Sequence, residues 1–288
     1  MLSKKRKRGQ RRSPDANLVL GFSGWMDGGE VSTGAVDYLV EKTNAIVFDA
    51  LEPEGFYVYS FPGSMEISAL FRPHTAIEEG LIRRYEEPAN EFFRSEETGL
   101  LLFNGKEPHF GWSRFADKIL LLAEQYNVRR VCFLGSVAGL VPHTKTPRMF
   151  SCVSSEDLLP LLKEHGLHAS NYEGPASFIT YLTTRASAAG IDMMTLVAEI
   201  PAYVQGRNAK CLLAVIVKLA EILDLDLDLD DLTAASEAFE EQLDDLMEKR
   251  PDLAELVAKM EEDYDKEVKA VEMSELKEWF EKQNIRLN

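Results

Sequence analysis

Short apolar runs alternate with amphipathic helical segments along residues 17–224, and this alternation confines the chain to an α/β architecture. "NLVLGF" (17–22) reads as a buried strand. "EVSTGAVDYLVEKT" (30–43) sets Val31, Ala35, Tyr38 and Leu39 at helical spacing. "NAIVFDAL" (44–51) reads as a second strand, so residues 17–51 are predicted to form a strand–helix–strand unit. The pattern returns in "GLLLFNG" (99–105), then in the amphipathic helix "WSRFADKILLLAEQYN" (112–127) and the strand "VRRVCFLGS" (128–136). It returns again as a helix over 175–190 ended by Gly190, a strand over 191–200 and a helix over 208–224. Residues 52–98 are less regular, and "PEGFYVYSFPG" is predicted to hold an edge strand. Residues 15–223 thus read as a single three-layer α/β domain, with a mostly parallel sheet covered on both faces.

The composition changes at residue 224. Residues 224–288 carry 22 acids against 8 bases, and no glycine occurs there. Apolar residues at Phe239, Leu243, Leu246, Leu253, Val257, Met260, Tyr264, Val268 and Val271 predict long amphipathic helices, with Pro251 opening one of them. Ser274 is expected to cap a last short helix. The narrow apolar stripe needs a covering surface, either the chain's own body or a neighbouring subunit, and the subunit is the expected one. "LDLDLDLDD" (223–231) resembles the start of a calcium loop, with Asp224, Asp226 and Asp228 as ligands. The pattern fails where glycine is required (Leu229) and where the last acid is required (Ala235). It reads instead as an extended linker pinned by its leucines.

The net charge of −16 argues against binding of nucleic acid by the folded body. Residues 1–14 are the exception, with seven bases and no acid, and read as a solvated, disordered tail. Three cysteines without CxxC spacing argue against a disulfide framework or a zinc site and for a reduced, cytoplasmic setting. The most apolar run, "CLLAVIV" (211–217), is too short to span a bilayer.

"GFSGWMDGGEVSTG" (21–34) lies between the first strand and the first helix. It lacks the G-x-G-x-x-G of dinucleotide sites and the Gly-Lys-Ser/Thr of a P-loop. Gly24, Gly28 and Gly29 before a helix N-terminus would suit an anion, but Asp27 would repel one. With Trp25 they form a tight turn capped by Asp27 or Ser32; the anion site is the alternative. "FLGSVAGL" (133–140) brings Gly135 and Ser136 to another strand end, outside any G-x-S-x-G elbow. "NGKEPHFGW" adds Lys106, His109 and Trp112, and "EIPAYVQG" adds Glu199 and Tyr203. All are expected at the C-terminal edge of the sheet, where α/β folds bind ligands, and all equally suit a subunit interface. No catalytic set, metal site or cofactor motif emerges from these residues.

These four stretches, from "LVLGFSGWMDGGEVSTGAVDYL" to "EGPASFITYLTTRASAAGIDMMTLVAEIPAYVQG", resemble the bacterial and archaeal branch of the proteasome assembly chaperone family over about residues 17–223. The "GWMDGG" loop, the Gly-Ser pair at 135–136 and the Gly-Pro pair at 174–175 carry the resemblance. It implies a phosphorylase/hydrolase-like fold, similar in topology to purine nucleoside phosphorylases, and a homo-oligomer, trimeric or tetrameric. It also implies a chaperone that binds proteasome α-type subunits. Some members dock into the proteasome through a C-terminal hydrophobic-Tyr-any tripeptide; here Leu287 stands in the place of the tyrosine. Family descriptions sometimes attach an ATP-grasp label, but the alternation here reads as one doubly covered sheet and not as two α+β lobes. The expected function is therefore a non-catalytic assembly or scaffold role through protein contacts. An enzyme or sensor for a small anionic metabolite at the glycine loops is the alternative.

Overall fold

The structure, a computed structural model, describes residues 16–282, with side chains as far as residue 266 and at residue 268. The basic segment 1–14 and Leu287 lie outside the described residues. The chain begins with β1 (Ala16–Ser23), a 3-10 turn (Gly28–Glu30), α1 (Val31–Lys42) and β2 (Ile46–Ala50). An insertion follows, with α2 (Met65–Ala69) and the hairpin β3 (His74–Glu78) and β4 (Leu81–Glu86). The chain then forms β5 (Glu91–Arg94), β6 (Leu101–Lys106), α3 (Trp112–Gln125), β7 (Val128–Gly139) and β8 (Met149–Ser151). Next come α4 (Leu159–Glu164), β9 (His168–Ala169), α5 (Phe178–Ala189), β10 (Asp192–Pro201) and α6 (Ala209–Leu223). Two long helices end it, α7 (Asp230–Lys249) and α8 (Pro251–Lys282).

Eight strands form one sheet in the order β2-β5-β6-β1-β7-β10-β8-β9, and β3 and β4 pair separately. The central four, β6, β1, β7 and β10, are parallel. Their side chains alternate between two buried layers because successive residues of a strand face opposite ways. Leu18, Leu20 and Phe22 of β1 enter the layer under α3 and α5, and Val19 enters the layer under α1 and α6. Phe133 and Cys132 of β7 divide in the same way. The α3/α5 layer is aromatic, with Phe22 ringed by Phe103, Phe115, Phe133 and Phe178 at centroid distances of 5.0–6.4 Å. The three-layer α/β expectation is met.

Several local expectations are not. β2 does not pair with β1: it hydrogen-bonds antiparallel to β5 at the sheet margin, with Ile46 and Val47 exposed. The more apolar β6 takes the place beside β1. Residues 53–63 form no strand; Phe56 and Tyr57 are instead buried in a loop. Ser274 lies inside α8, because no Gly or Pro follows Pro251 to break the helix. The stripe of α7 and α8 is partly covered by the chain's own body, at Leu232, Leu243, Val257 and Met260, while Leu246 stays 41% exposed. Between α6 and α7, Leu225, Leu227 and Leu229 pack on the core while Asp224, Asp226 and Asp228 face solvent, as a pinned linker requires.

Candidate functional site

The order of the central strands changes direction between β1 and β7, the place where doubly covered sheets hold ligands. Here the loop after β1 fills that place itself. The Ser136 N–H donates to the Met26 carbonyl at 2.9 Å, and the Ser136 hydroxyl donates to the Gly28 carbonyl at 2.5 Å. A one-residue parallel bridge joins Asp27 to Ser136. Ser136 is fully buried, so both bonds work away from water. Gly29 adopts φ 61°, a conformation that favours glycine, and its carbonyl accepts the Asn208 N–H at 2.8 Å. Asn208 in turn caps α6 by accepting the Cys211 N–H at 2.9 Å.

Asp27 is the cap of α1. Its carboxylate accepts from the N–H groups of Ser32 (2.8 Å) and Thr33 (3.1 Å) and from the Thr33 hydroxyl (2.8 Å). Those are the donors that a bound anion would need. Ser32 does something else: its hydroxyl donates to Leu134 O at 2.5 Å and accepts from Phe22 N at 2.9 Å, stitching α1 to β1 and β7. Burial raises the Asp27 carboxyl above its ordinary 3.8, against the lowering effect of its donors. The folded chain therefore holds this proton above pH 3.8, where the unfolded chain has lost it. The stability it contributes is present at low pH and is lost as pH rises through the folded pKa. The stability margin of the native chain over Asp27→Asn is expected to narrow as pH rises above 3.8. Paired thermal melts check this, and a margin that widens contradicts it.

The sequence candidates separate into four places. Gly24, Trp25, Asp27, Gly28, Gly29, Gly135 and Ser136 meet at the switch point. Lys106 ends β6 and lines a polar cavity of about 500 Å³ under the insertion, with Asp37, Arg72, Glu87 and Glu91. His109 and Trp112 fix loops: the His109 Nδ1 accepts from Val58 N at 3.0 Å, and the Trp112 indole donates to Pro108 O at 2.8 Å. Burial, with Lys106 beside it, lowers the His109 pKa. Glu199 and Tyr203 face the C-terminal helices. Glu199 pairs with Arg148 at 2.9 Å, and the Tyr203 hydroxyl lies 2.7 Å from the His143 ring, which reaches Asp244 of α7 at 3.3 Å. Lys210 bonds the His143 carbonyl at 2.6 Å and pairs with Glu240, while Lys145 pairs with Asp265 at 2.8 Å. Tyr264 donates to Thr146 O at 2.9 Å. The loop after β7 is thereby clasped by α7 and α8.

Glu107 is the residue that sequence reasoning missed. Its carboxylate accepts from Trp25 N at 2.9 Å and from Phe178 N at 2.8 Å, tying the Trp25 loop to the start of α5. Nothing local in "NGKEPH" marks it, since both partners are distant in sequence. Asn208 was readable as a cap immediately before the α6 pattern.

The PAC2 family model matches residues 21–247, from the end of β1 to the last turns of α7. The chain belongs to the PAC2 family. A PAC2 family protein from Streptomyces avermitilis is 28% identical, with a TM-score of 0.72 over 84% of this chain and 100% of that one. A proteasome-assembly chaperone homologue from Mycobacterium tuberculosis is 27% identical, with a TM-score of 0.73 over 84% and 99%. Pyrococcus furiosus PbaB, an archaeal proteasome activator, shares the fold at 20% identity, with a TM-score of 0.59 over 83% and 96%. No curated protein matches the chain in sequence. Among the described residues there is no group of three His, Cys, Asp or Glu able to hold a metal ion. No helix there is long and apolar enough to cross a membrane.

Proposed function

We propose that this PAC2 protein is a chaperone-like assembly factor that holds other protein chains and does not turn over a small molecule. The insertion between β2 and β5 carries the reading. Phe61, Met65, Ile67, Leu70, Ile77, Leu81, Ile82 and Tyr85 are all exposed there, a density of apolar surface that marks protein contacts. The hairpin within it pairs with no other strand among the described residues, and a lone two-stranded hairpin is marginal without support. Residues 61–86 carry four acids and three bases, so they are nearly neutral on a chain of net charge −16. Two copies repel each other elsewhere and can meet here, which supports a homo-oligomer, a trimer or tetramer, built through this insertion.

The likeness to the Mycobacterium tuberculosis proteasome-assembly chaperone homologue supports proteasome subunits as partners, and the sequence resemblance points to the α-type ones and to a cytoplasmic setting. The alternative, a small anion at the glycine loop, meets a helix N-terminus whose donors Asp27 already takes. Light scattering of the full chain, alone and mixed with purified α-type subunits, tests the proposal. The expected result is a multiple of 32.4 kDa that grows when the subunits are added. A 32.4 kDa species that leaves the subunits free overturns it.

A further inference from the structure

We infer that a second cavity, beside the Trp25 loop, is a binding site for an uncharged, largely apolar small molecule with an aromatic ring. The cavity measures about 550 Å³ and lies over Val137, Thr195 and Val197 of the sheet, against α5. Small-molecule sites span about 300–1,000 Å³ and favour strand ends at a switch point. None of its sixteen lining residues is charged. The chain is 28% charged, and the polar cavity under the insertion has acids and bases in its wall, so neutrality is particular to this place.

The walls are set in advance. Glu107 fixes the Trp25 backbone and the first turn of α5 through one carboxylate. The Tyr172 hydroxyl donates to Pro175 O at 3.2 Å, fixing the second aromatic side chain. Trp25 and Tyr172 nevertheless leave 65% and 67% of their surface to solvent. A flat apolar ligand would cover that surface, and its burial would drive binding. Three of the lining hydroxyls already have partners in the protein. Thr183 donates to Ile179 O at 2.9 Å, Thr195 accepts from Cys152 N at 2.9 Å, and Ser177 accepts from Thr180 N at 3.1 Å. The Asn171 amide has none among the described residues and is free to hold one polar atom of the ligand. A charged ligand would lose hydration with no ion to repay it.

Cys152 gives the site a handle, because it is exposed in the lining while Cys132 and Cys211 are buried. Burial pushes the thiols of Cys132 and Cys211 up to about 12, so a thiol reagent at neutral pH selects Cys152. The test uses Nile red, a neutral aromatic dye, titrated into the full chain. Saturable binding at one dye per chain is expected. Alkylation of Cys152 by N-ethylmaleimide, or Ala138→Trp, should weaken it by about tenfold or more. The anionic dye 8-anilinonaphthalene-1-sulfonate should compete about tenfold less well than a neutral analogue. Met65→Asp and Leu70→Asp, in the insertion, should leave the dye in place. Alkylation acts on the folded chain, so weaker binding at an unchanged melting temperature reports blocking and not misfolding. Absence of saturable binding, binding insensitive to both blocks, or equal affinity for the anionic dye overturns the inference.

Discussion

Replacing Met65, Leu70 and Ile82 together by Asp is expected to dissociate the assembly into 32.4 kDa chains without lowering the melting temperature. The three side chains are 84%, 78% and 70% exposed, so the folded chain loses almost no buried surface when they change. Exposed substitutions of this kind usually alter stability by no more than about 0.5 kcal/mol. An interface responds quite differently. Three carboxylates in a contact between copies must be desolvated, and they add charge to a chain that already carries −16. Central truncations alone commonly cost about 2 kcal/mol or more each, and a symmetric contact meets every substitution twice. Leu140, also 78% exposed but at the end of β7, is the control: Leu140→Asp should leave the assembly whole. Sedimentation analysis of the three proteins separates the outcomes. An intact oligomer in the triple variant would place self-association elsewhere.

Gly21→Ala should unfold a large part of the population, with a loss of about 3 kcal/mol or more. A Cβ at Gly21 would lie 2.6 Å from the Ser32 carbonyl oxygen and 2.7 Å from Val36 Cγ2. The first of these atoms is backbone of α1, so no rotamer change relieves the clash. The helix must move away from β1, and Ser32 then loses its bonds to Phe22 and Leu134 in a dry core. Gly99→Ala is the comparison. Gly99 has φ 71° with no neighbour in reach of a Cβ, so only the backbone conformation opposes the change, at about 1 kcal/mol. Urea titration of both variants measures the difference, and equal losses would contradict the close-packing argument.

The central strands were legible because each is apolar on both faces, and β1, β6 and β10 are each followed by a helix. β1, β6, β7 and β10 all lie within a few residues of where the alternation places them. Partner choice was not legible: nothing in "IVFDA" tells that β5 and β6 stand between it and β1. The hairpin was missed because "HTAIE" and "LIRRYE" are exposed on nearly every residue and show no buried alternation. Its signal was the turn, where Glu79 and Gly80 both take positive φ, as a two-residue hairpin demands. At the switch point, the capping role of Asp27 was readable from its place before a helix. The convergence of Glu107 on two distant N–H groups was not, since contacts across 82 and 71 residues leave no local pattern. The stripe on α7 and α8 read correctly as a surface needing cover, but an amphipathic period does not say which surface supplies it. Here the loop after β7 and the body of the domain cover part of it, and Leu246 remains exposed.

Native mass spectrometry of the full chain, purified gently from its own host, tests the assembly role most directly. The account predicts three or four copies of the 32.4 kDa chain, with a second protein bound in a fixed ratio. A single 32.4 kDa chain with no protein partner, under conditions that preserve known oligomers, would contradict it.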